Sequence, residues 1–511
     1  ARYVLAKGAS PIQEVWSGGK RVAQAQGGRG LYLVDQRGRV AKASADGEKM
    51  EVEASGPVAA CVRFEGDYKT SEGERVARHV TRVEANAGQP FARVTHTLIL
   101  TEDTNKVWFR EAGWEFAVAA GGQAQAIFGV SRGEPLKTQA VPMDKGTASA
   151  WMIQDSHYRH GHGKNHFAVA RRPAGGQETT VLEGQECGDF AALAGSEGGL
   201  ALGCREAARQ HPKEFEARPG FLTLKLFSNR AGEEMDFRAE ALVKRWDLAG
   251  WYEKTLSQSN KKTNPLEKVR KFTSNAAGWG KTHELLIAPV TAAAPQEAAK
   301  WAWLLAKPVQ AMADPAWICA SGAMYRVRPR DRERFPLAEK LIDETFAVWE
   351  KRIDDWGDYG FVDYFAGPHL GYKGNYVNPF RYGRFTYSLR ADLWLLYARS
   401  GERRMRDLAE GTNRAYMDNF FALWDAGEKV AGLCVSGAGD GYDAKGGLPF
   451  YWEGISTFNL LSSSNLDQFL WLYYFTGFRH AKDRVEDYGR GALKAWSPQR
   501  AKRDWRILAT T

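Results

Sequence analysis

The spacing of apolar residues changes once along this chain, near residue 290, and that change constrains the fold more than any other feature. Before it, apolar and polar residues alternate in short runs broken by glycine, the period of a strand with one buried face. After it, they recur every three to four residues, the period of an amphipathic helix. The pattern predicts a multidomain β + α protein: an antiparallel β-sandwich over 1–290 followed by a helical domain over 291–511. A length of 511 residues with 44% apolar content is ample for two large cores.

Within the first part, Thr81 to Leu100 reads as a hairpin, two alternating runs around the turn Ala87 to Pro90. Gly30 to Val40 is another, turning at Asp35 to Gly38, and Val107–Ala119, Phe167–Ala170 and Phe221–Phe227 continue the strand pattern. Within the second part, helices are predicted over Gln296–Lys307, Leu337–Trp356, Leu389–Ser400, Arg403–Trp424 and Leu466–Thr476. Leu393 to Gly401 aligns with Phe469 to Gly477, each an aromatic helix ending in Ser/Thr-Gly. A basic residue (Arg403, Arg479) and an aspartate (Asp407, Asp483) follow in both. Glycine at such an end caps a helix, and two similar ends predict stacked helical hairpins, as in an α/α toroid.

The net charge of +9 is scattered, without a Lys/Arg block, which excludes a nucleic-acid tail and favours an acidic small molecule or polyanion. The 18 Trp and 19 Tyr favour sugar faces, which such rings stack on while keeping a polar handle. The five cysteines, Cys61, Cys187, Cys204, Cys319 and Cys434, have neither zinc spacing nor an even count, so no disulfide framework or structural metal is expected. No apolar run reaches the length of a membrane span. The chain begins at Ala1 without Met or a signal peptide, as a mature form or a fragment does.

Four clusters can carry chemistry. The segment Asp363 to Arg384 gathers Tyr364, His369, Tyr372, Lys373, Tyr376, Tyr382, Arg381 and Arg384 between glycines and prolines. Phenols, guanidiniums and an imidazole on a loop suit an anionic, hydroxyl-rich ligand and suit a core poorly. Asp155 to His166 holds four of the ten histidines. The histidines and Arg159 there can form a cationic wall for a carboxylate, which makes Tyr158, Arg159 and His160 substrate-binding candidates; His160 and His162 lack a carboxylate spaced to complete a metal set. Gly278 to Glu284 is strand-like, so Lys281 and His283 share one face and Thr282 and Glu284 the other. It is not a P-loop, because Asn275 stands where the upstream glycine is required. Gly439 to Glu453 places Asp440, Asp443, Trp452 and Glu453 beside aromatics, as a sugar subsite or as a plain interhelical loop.

Lys281 to Glu284, the hairpin Arg82 to Leu98, Ala313 to Cys319 and the two helix ends together resemble the exo-acting rhamnogalacturonan lyases and the related ulvan-lyase-like proteins. The resemblance runs from about residue 25 to 485. It implies an N-terminal β domain, a central β-sandwich and a C-terminal α/α toroid. Here only a remnant of the first domain and an incomplete toroid are expected. It also implies a secreted or periplasmic lyase acting on an acidic polysaccharide or oligosaccharide, without nucleic acid, membrane or cofactor, a bound Ca2+ or Zn2+ being left open. β-Elimination needs a cation to neutralise the uronate carboxylate, a base for the C5 proton and an acid for the leaving C4 oxygen. Arg381 or Arg384, His369, and Tyr376 or Tyr372 match these roles; His283 and Lys281 are rival bases. Two other readings stand beside it. A glycoside hydrolase would use a pair of carboxylates from Asp392, Asp440, Asp443 and Glu453, and a non-catalytic glycan-binding protein would use none.

Overall fold

The computed structural model describes residues 1–133, 136–156, 164–238, 240–241, 276–291, 295–356, 359–361, 389–419, 421–424, 431–432 and 466–495. Among the described residues, nineteen strands run from Arg2–Leu5 (β1) to Phe221–Phe227 (β19), and Gly280–Val290 (β20) follows. All pair antiparallel, in two layers.

One layer is ordered β6 (Lys49–Ser55), β7 (Ala59–Lys69), β8 (Arg75–Asn86), β9 (Ala92–Leu100), β20, β17 (Gly198–Cys204), β16 (Phe190–Gly195), β11 (Gln125–Gly129) and β12 (Thr138–Pro142). The other is ordered β4 (Gly30–Asp35), β10 (Phe109–Val118), β19, β18 (Lys213–Arg218), β13 (Thr147–Ser156), β14 (His166–Pro173) and β15 (Thr179–Gly184). β5 (Val40–Ala43) pairs with both β4 and β7 and joins the layers at one edge.

The hairpin expected at 81–100 is β8–β9, with Ala85 opposite Ala92. Gly88 sits in its turn at φ 78°, a conformation that only glycine adopts without strain. The turn after β4 is held by the Asp35 carboxylate, which accepts from the Arg37 and Arg39 amides at 2.9 Å each.

Among the described residues, seven helices lie in the C-terminal part: α1 (Pro295–Ala306), α2 (Pro315–Ser321), α3 (Pro336–Trp356), α4 (Leu389–Ser400), α5 (Arg403–Asn419), α6 (Asp467–Thr476) and α7 (Arg479–Ala495). α2 and α7 were not expected. α2 is capped by Asp314, whose side chain accepts from the Ala316 and Trp317 amides. α5 ends at Asn419 rather than continuing to Trp424, because the Leu423 amide leaves the helical pattern to bond Gly278 O at 2.8 Å. Gly401 and Gly477, the two aligned helix ends, both adopt left-handed φ, 72° and 71°. Each donates its amide back to a tyrosine carbonyl, Tyr397 and Tyr473. α4 and α6 meet where Trp394 stacks on Phe475, centroids 5.5 Å apart.

The helices cover one sheet. Along β20, Leu285 and Ile287 join the core between the two sheets, while Leu286, Ala288 and Val290 pack with Ala298, Ala299, Ala302 and Leu305 of α1. The order is therefore sheet, sheet, helices, and β20 sends alternate side chains into two different environments.

Candidate active site around strand β20

The inner face of β20 carries Lys281 and His283, 2% and 1% exposed. His283 lies opposite His96 in register. Lys213, on the facing sheet, reaches the same place and donates to the carbonyls of Gln210 and Leu226. Phe361 covers all three. Its ring centre is 5.6 Å from the His283 ring, 4.7 Å from Lys213 Nζ and 6.0 Å from Lys281 Nζ. Trp279 and Phe227 close the sides at 5.8 and 5.2 Å.

Burial in this dry space disfavours every positive charge. It pushes His283 well below its ordinary value, with Lys213, Lys281 and His96 adding repulsion. Lys213 is lowered by burial to about 7. Lys281 is lowered by burial too, partly offset by Asp418, whose carboxylate is 3.6 Å away. His283 is thus a neutral imidazole, and among the described residues neither of its nitrogens has a hydrogen-bond partner. A neutral imidazole and a lysine that deprotonates near pH 7 are the groups a proton abstraction needs. Here both stand behind an aromatic ring rather than at a surface.

Deeper between the sheets, the polar track continues through His96. Thr81 Oγ1 lies 2.8 Å from its Nδ1 and Tyr68 OH 3.2 Å from its Nε2. Burial holds His96 and His79 neutral as well, both lowered to about 3.

The outer face of β20 carries Thr282 and Glu284, and Glu284 lines a cleft of about 190 Å³ under the helices. Glu84 and Arg93 of β8–β9 form one wall; Arg205, Glu410 and Arg414 form another. Glu284 accepts from Arg205 at 2.9 Å and Arg414 at 2.7 Å, and Glu410 from the same two at 2.6 and 2.7 Å. Burial opposes ionisation of both glutamates, but the guanidiniums outweigh it and hold both below the ordinary range. Glu84, by contrast, is raised by burial. Behind the cleft an inner bay of about 20 Å³ is walled by Gln210, Thr282, Asp418 and His480.

Of the residues singled out from sequence, Lys281 and His283 fall at this strand. Tyr158, Arg159, His160, Tyr364, His369, Tyr372, Lys373, Tyr376, Arg381, Arg384 and Trp452 lie outside the described residues. Two described flanks bear on them. Phe361, two residues ahead of Asp363, is the ring over His283. At the other segment, His166 meets both Asp155 oxygens at 2.9 Å. Sequence reasoning missed Lys213, Arg205, Glu410, Arg414 and Asp418. Only Glu410 and Arg414 had a local signal, an i,i+4 acid–base pair on one helix face. Among the described residues no group of three or more His, Cys, Asp or Glu is placed to hold a metal ion, and Cys61, Cys187, Cys204 and Cys319 are free thiols.

Residues 3–125, the strands β1 to β10, match the family model of the PcRGLX-like protein central beta sandwich domain. That match supports the resemblance to rhamnogalacturonan-lyase-like proteins at a coarse level: a β-sandwich of a carbohydrate-related family. No curated protein matches the sequence. Among solved structures, the chain is similar to a galactose mutarotase related enzyme from Lactobacillus acidophilus, 10% identical over 57% of this chain and 94% of that one, with a TM-score of 0.25. It is also similar to the α-galactosidase from Lactobacillus brevis, 8% identical over 56% of this chain and 32% of that one, with a TM-score of 0.24. At these scores neither likeness carries an argument. Among the described residues no helix is long and apolar enough to cross a membrane.

Proposed function

We propose that this protein is a polysaccharide lyase that cleaves a uronate-containing glycan of rhamnogalacturonan or ulvan type by β-elimination. One observation carries the reading: the chain enters the Asp363–Arg384 segment from Phe361, the ring packed on His283, Lys213 and Lys281. In sequence, the segment that holds residues suited to neutralise a carboxylate, take a proton and protonate a leaving oxygen follows directly on Phe361, which covers a neutral imidazole and a weakly basic amine. The matching of β1 to β10 to the PcRGLX-like domain supports the same class of substrate.

In the proposed reaction, Arg381 or Arg384 neutralises the carboxylate, which acidifies the C5 proton. His369 takes that proton and Tyr376 or Tyr372 protonates the C4 oxygen as the bond breaks. Lys281 and His283 act from behind Phe361, because side chains so deeply buried cannot touch a polymer. A secreted or periplasmic location, a domain division near residue 290 and a toroidal course of the helices belong to the same proposal. The paired ends at Gly401 and Gly477 support the toroid.

The test is product chemistry. Elimination leaves a 4,5-unsaturated uronate that absorbs in the ultraviolet, and hydrolysis leaves none. Pectic and ulvan oligosaccharides cut without that absorbance would remove the lyase reading in favour of a hydrolase.

A further inference from the structure

The cleft on the outer face of β20 is hollow, polar and electrically balanced. Three arginines (Arg93, Arg205, Arg414) face three glutamates (Glu84, Glu284, Glu410). The carboxylates of Glu284 and Glu410 are already held by guanidiniums, which leaves them poor ligands for a cation. The C-terminal ends of α1 and α6 also border the cleft, at Leu305 to Ala311 and at Phe475 to Phe478. Helix C-termini carry partial negative charge, which opposes an anion. An ion-pair clasp between sheet and helices needs no open volume of about 190 Å³, yet the space is there. Its inner bay is more specific still. Asp418 Oδ1 and Gln210 Oε1, on side chains 4% and 5% exposed, have no hydrogen-bond partner among the described residues. Two buried acceptors call for a donor, and about 20 Å³ admits a single hydroxyl-sized group.

We propose that this cleft is a subsite for a neutral glycosyl residue, with one sugar hydroxyl entering the bay and donating to Asp418 Oδ1 or Gln210 Oε1. The proposal rests on the carbohydrate reading above and adds a sugar class to it. Guanidinium and carboxylate groups side by side supply both donors and acceptors for ring hydroxyls. Phe475, Phe478, Leu305 and Val309 supply an apolar wall for the C–H face of the ring. A uronate's charge finds no surplus cation here, so within a uronate polysaccharide the cleft takes the neutral partner sugar.

Calorimetric titration of the full chain with methyl α-rhamnoside, methyl β-galactoside and galacturonic acid tests this. At least one neutral glycoside should bind saturably and more tightly than galacturonic acid. Arg93→Ala and Glu84→Gln, on the hairpin wall, should each weaken that binding at least tenfold without moving the thermal unfolding midpoint. Tighter binding of galacturonic acid, no binding of any of the three, or wild-type affinity in both variants would overturn the proposal. If unsaturated products form while both variants bind as wild type, the subsite falls and the lyase reading stands. If a neutral glycoside binds as expected but no unsaturated product forms, the subsite stands and the lyase reading falls.

Discussion

Arg82 of β8 holds two carboxylates at once: Glu53 of β6 through bonds of 2.8 and 2.7 Å, and Asp483 of α7 through bonds of 2.7 and 2.9 Å. Arg82 is buried, and both acidic side chains are less than a fifth exposed. This double fork ties the last described helix to the sheet. Only arginine has the planar geometry to make it. Arg82→Ala strands two shielded carboxylates, so it should lower stability by about 3–5 kcal/mol. Arg82→Lys should recover little of the loss. Chemical denaturation followed by circular dichroism would measure both; an unchanged midpoint in Arg82→Ala would remove the clasp from the account.

Gly401 and Gly477 end equivalent helices, but their surroundings differ. A Cβ on Gly477 meets open space, whereas one on Gly401 comes within 3.3 Å of Met312 Sδ and 3.5 Å of Pro315 Cγ. Gly477→Ala should therefore cost only the left-handed backbone penalty, about 1 kcal/mol. Gly401→Ala should cost more, because Met312 Sδ must also give way by a few tenths of an ångström. Equal losses in thermal unfolding would contradict the crowding at Gly401.

These two cases show what the sequence made legible. The glycine caps, the β8–β9 hairpin and the alternation of β20 are local patterns, so period and turn chemistry revealed them. The Arg82–Asp483 fork spans 401 residues and leaves no local trace. The repeat even misleads there. Arg403 pairs with Asp407 within its own helix, at 3.2 Å, while in the second copy Asp483 turns to Arg82. α7 escaped notice because small or isolated residues such as Ala481 and Val485 form its apolar stripe between charges. Lys213 carried no local signal; only the facing sheet makes it a buried amine beside His283.

The cleft glutamates predict how the protein responds to acid. Glu284 and Glu410 are held below their ordinary values in the folded state by Arg205 and Arg414, against the opposing effect of burial. A depressed carboxyl pKa contributes stability that is present above the unfolded value, about 4.3, and is lost as pH falls toward the folded one. The urea midpoint should accordingly hold from these groups above about pH 5 and fall below about pH 4. Glu410→Gln should lower stability at pH 7 and flatten the acid limb. An acid limb identical to wild type in that variant would show that the cluster does not govern acid unfolding.

The division of labour around Phe361 gives the sharpest catalytic test. His283 is buried and already neutral, so it cannot act as a surface base. Its depressed pKa, due first to burial and then to Lys213, Lys281 and His96, makes it costly to protonate in the folded state. If His369 takes the C5 proton and Tyr376 donates to the leaving oxygen, His369→Ala and Tyr376→Phe should each reduce turnover at least about a hundredfold, the scale of losing one acid–base group. The far-ultraviolet spectrum of each variant should stay that of wild type. Phe361→Ala should act differently. It admits water to His283 and Lys213, which relieves their desolvation and raises both pKa values. The acid limb of the pH–rate profile should then shift, with a smaller loss at the optimum. Wild-type rates in both His369→Ala and Tyr376→Phe would remove those two residues from the proton transfer.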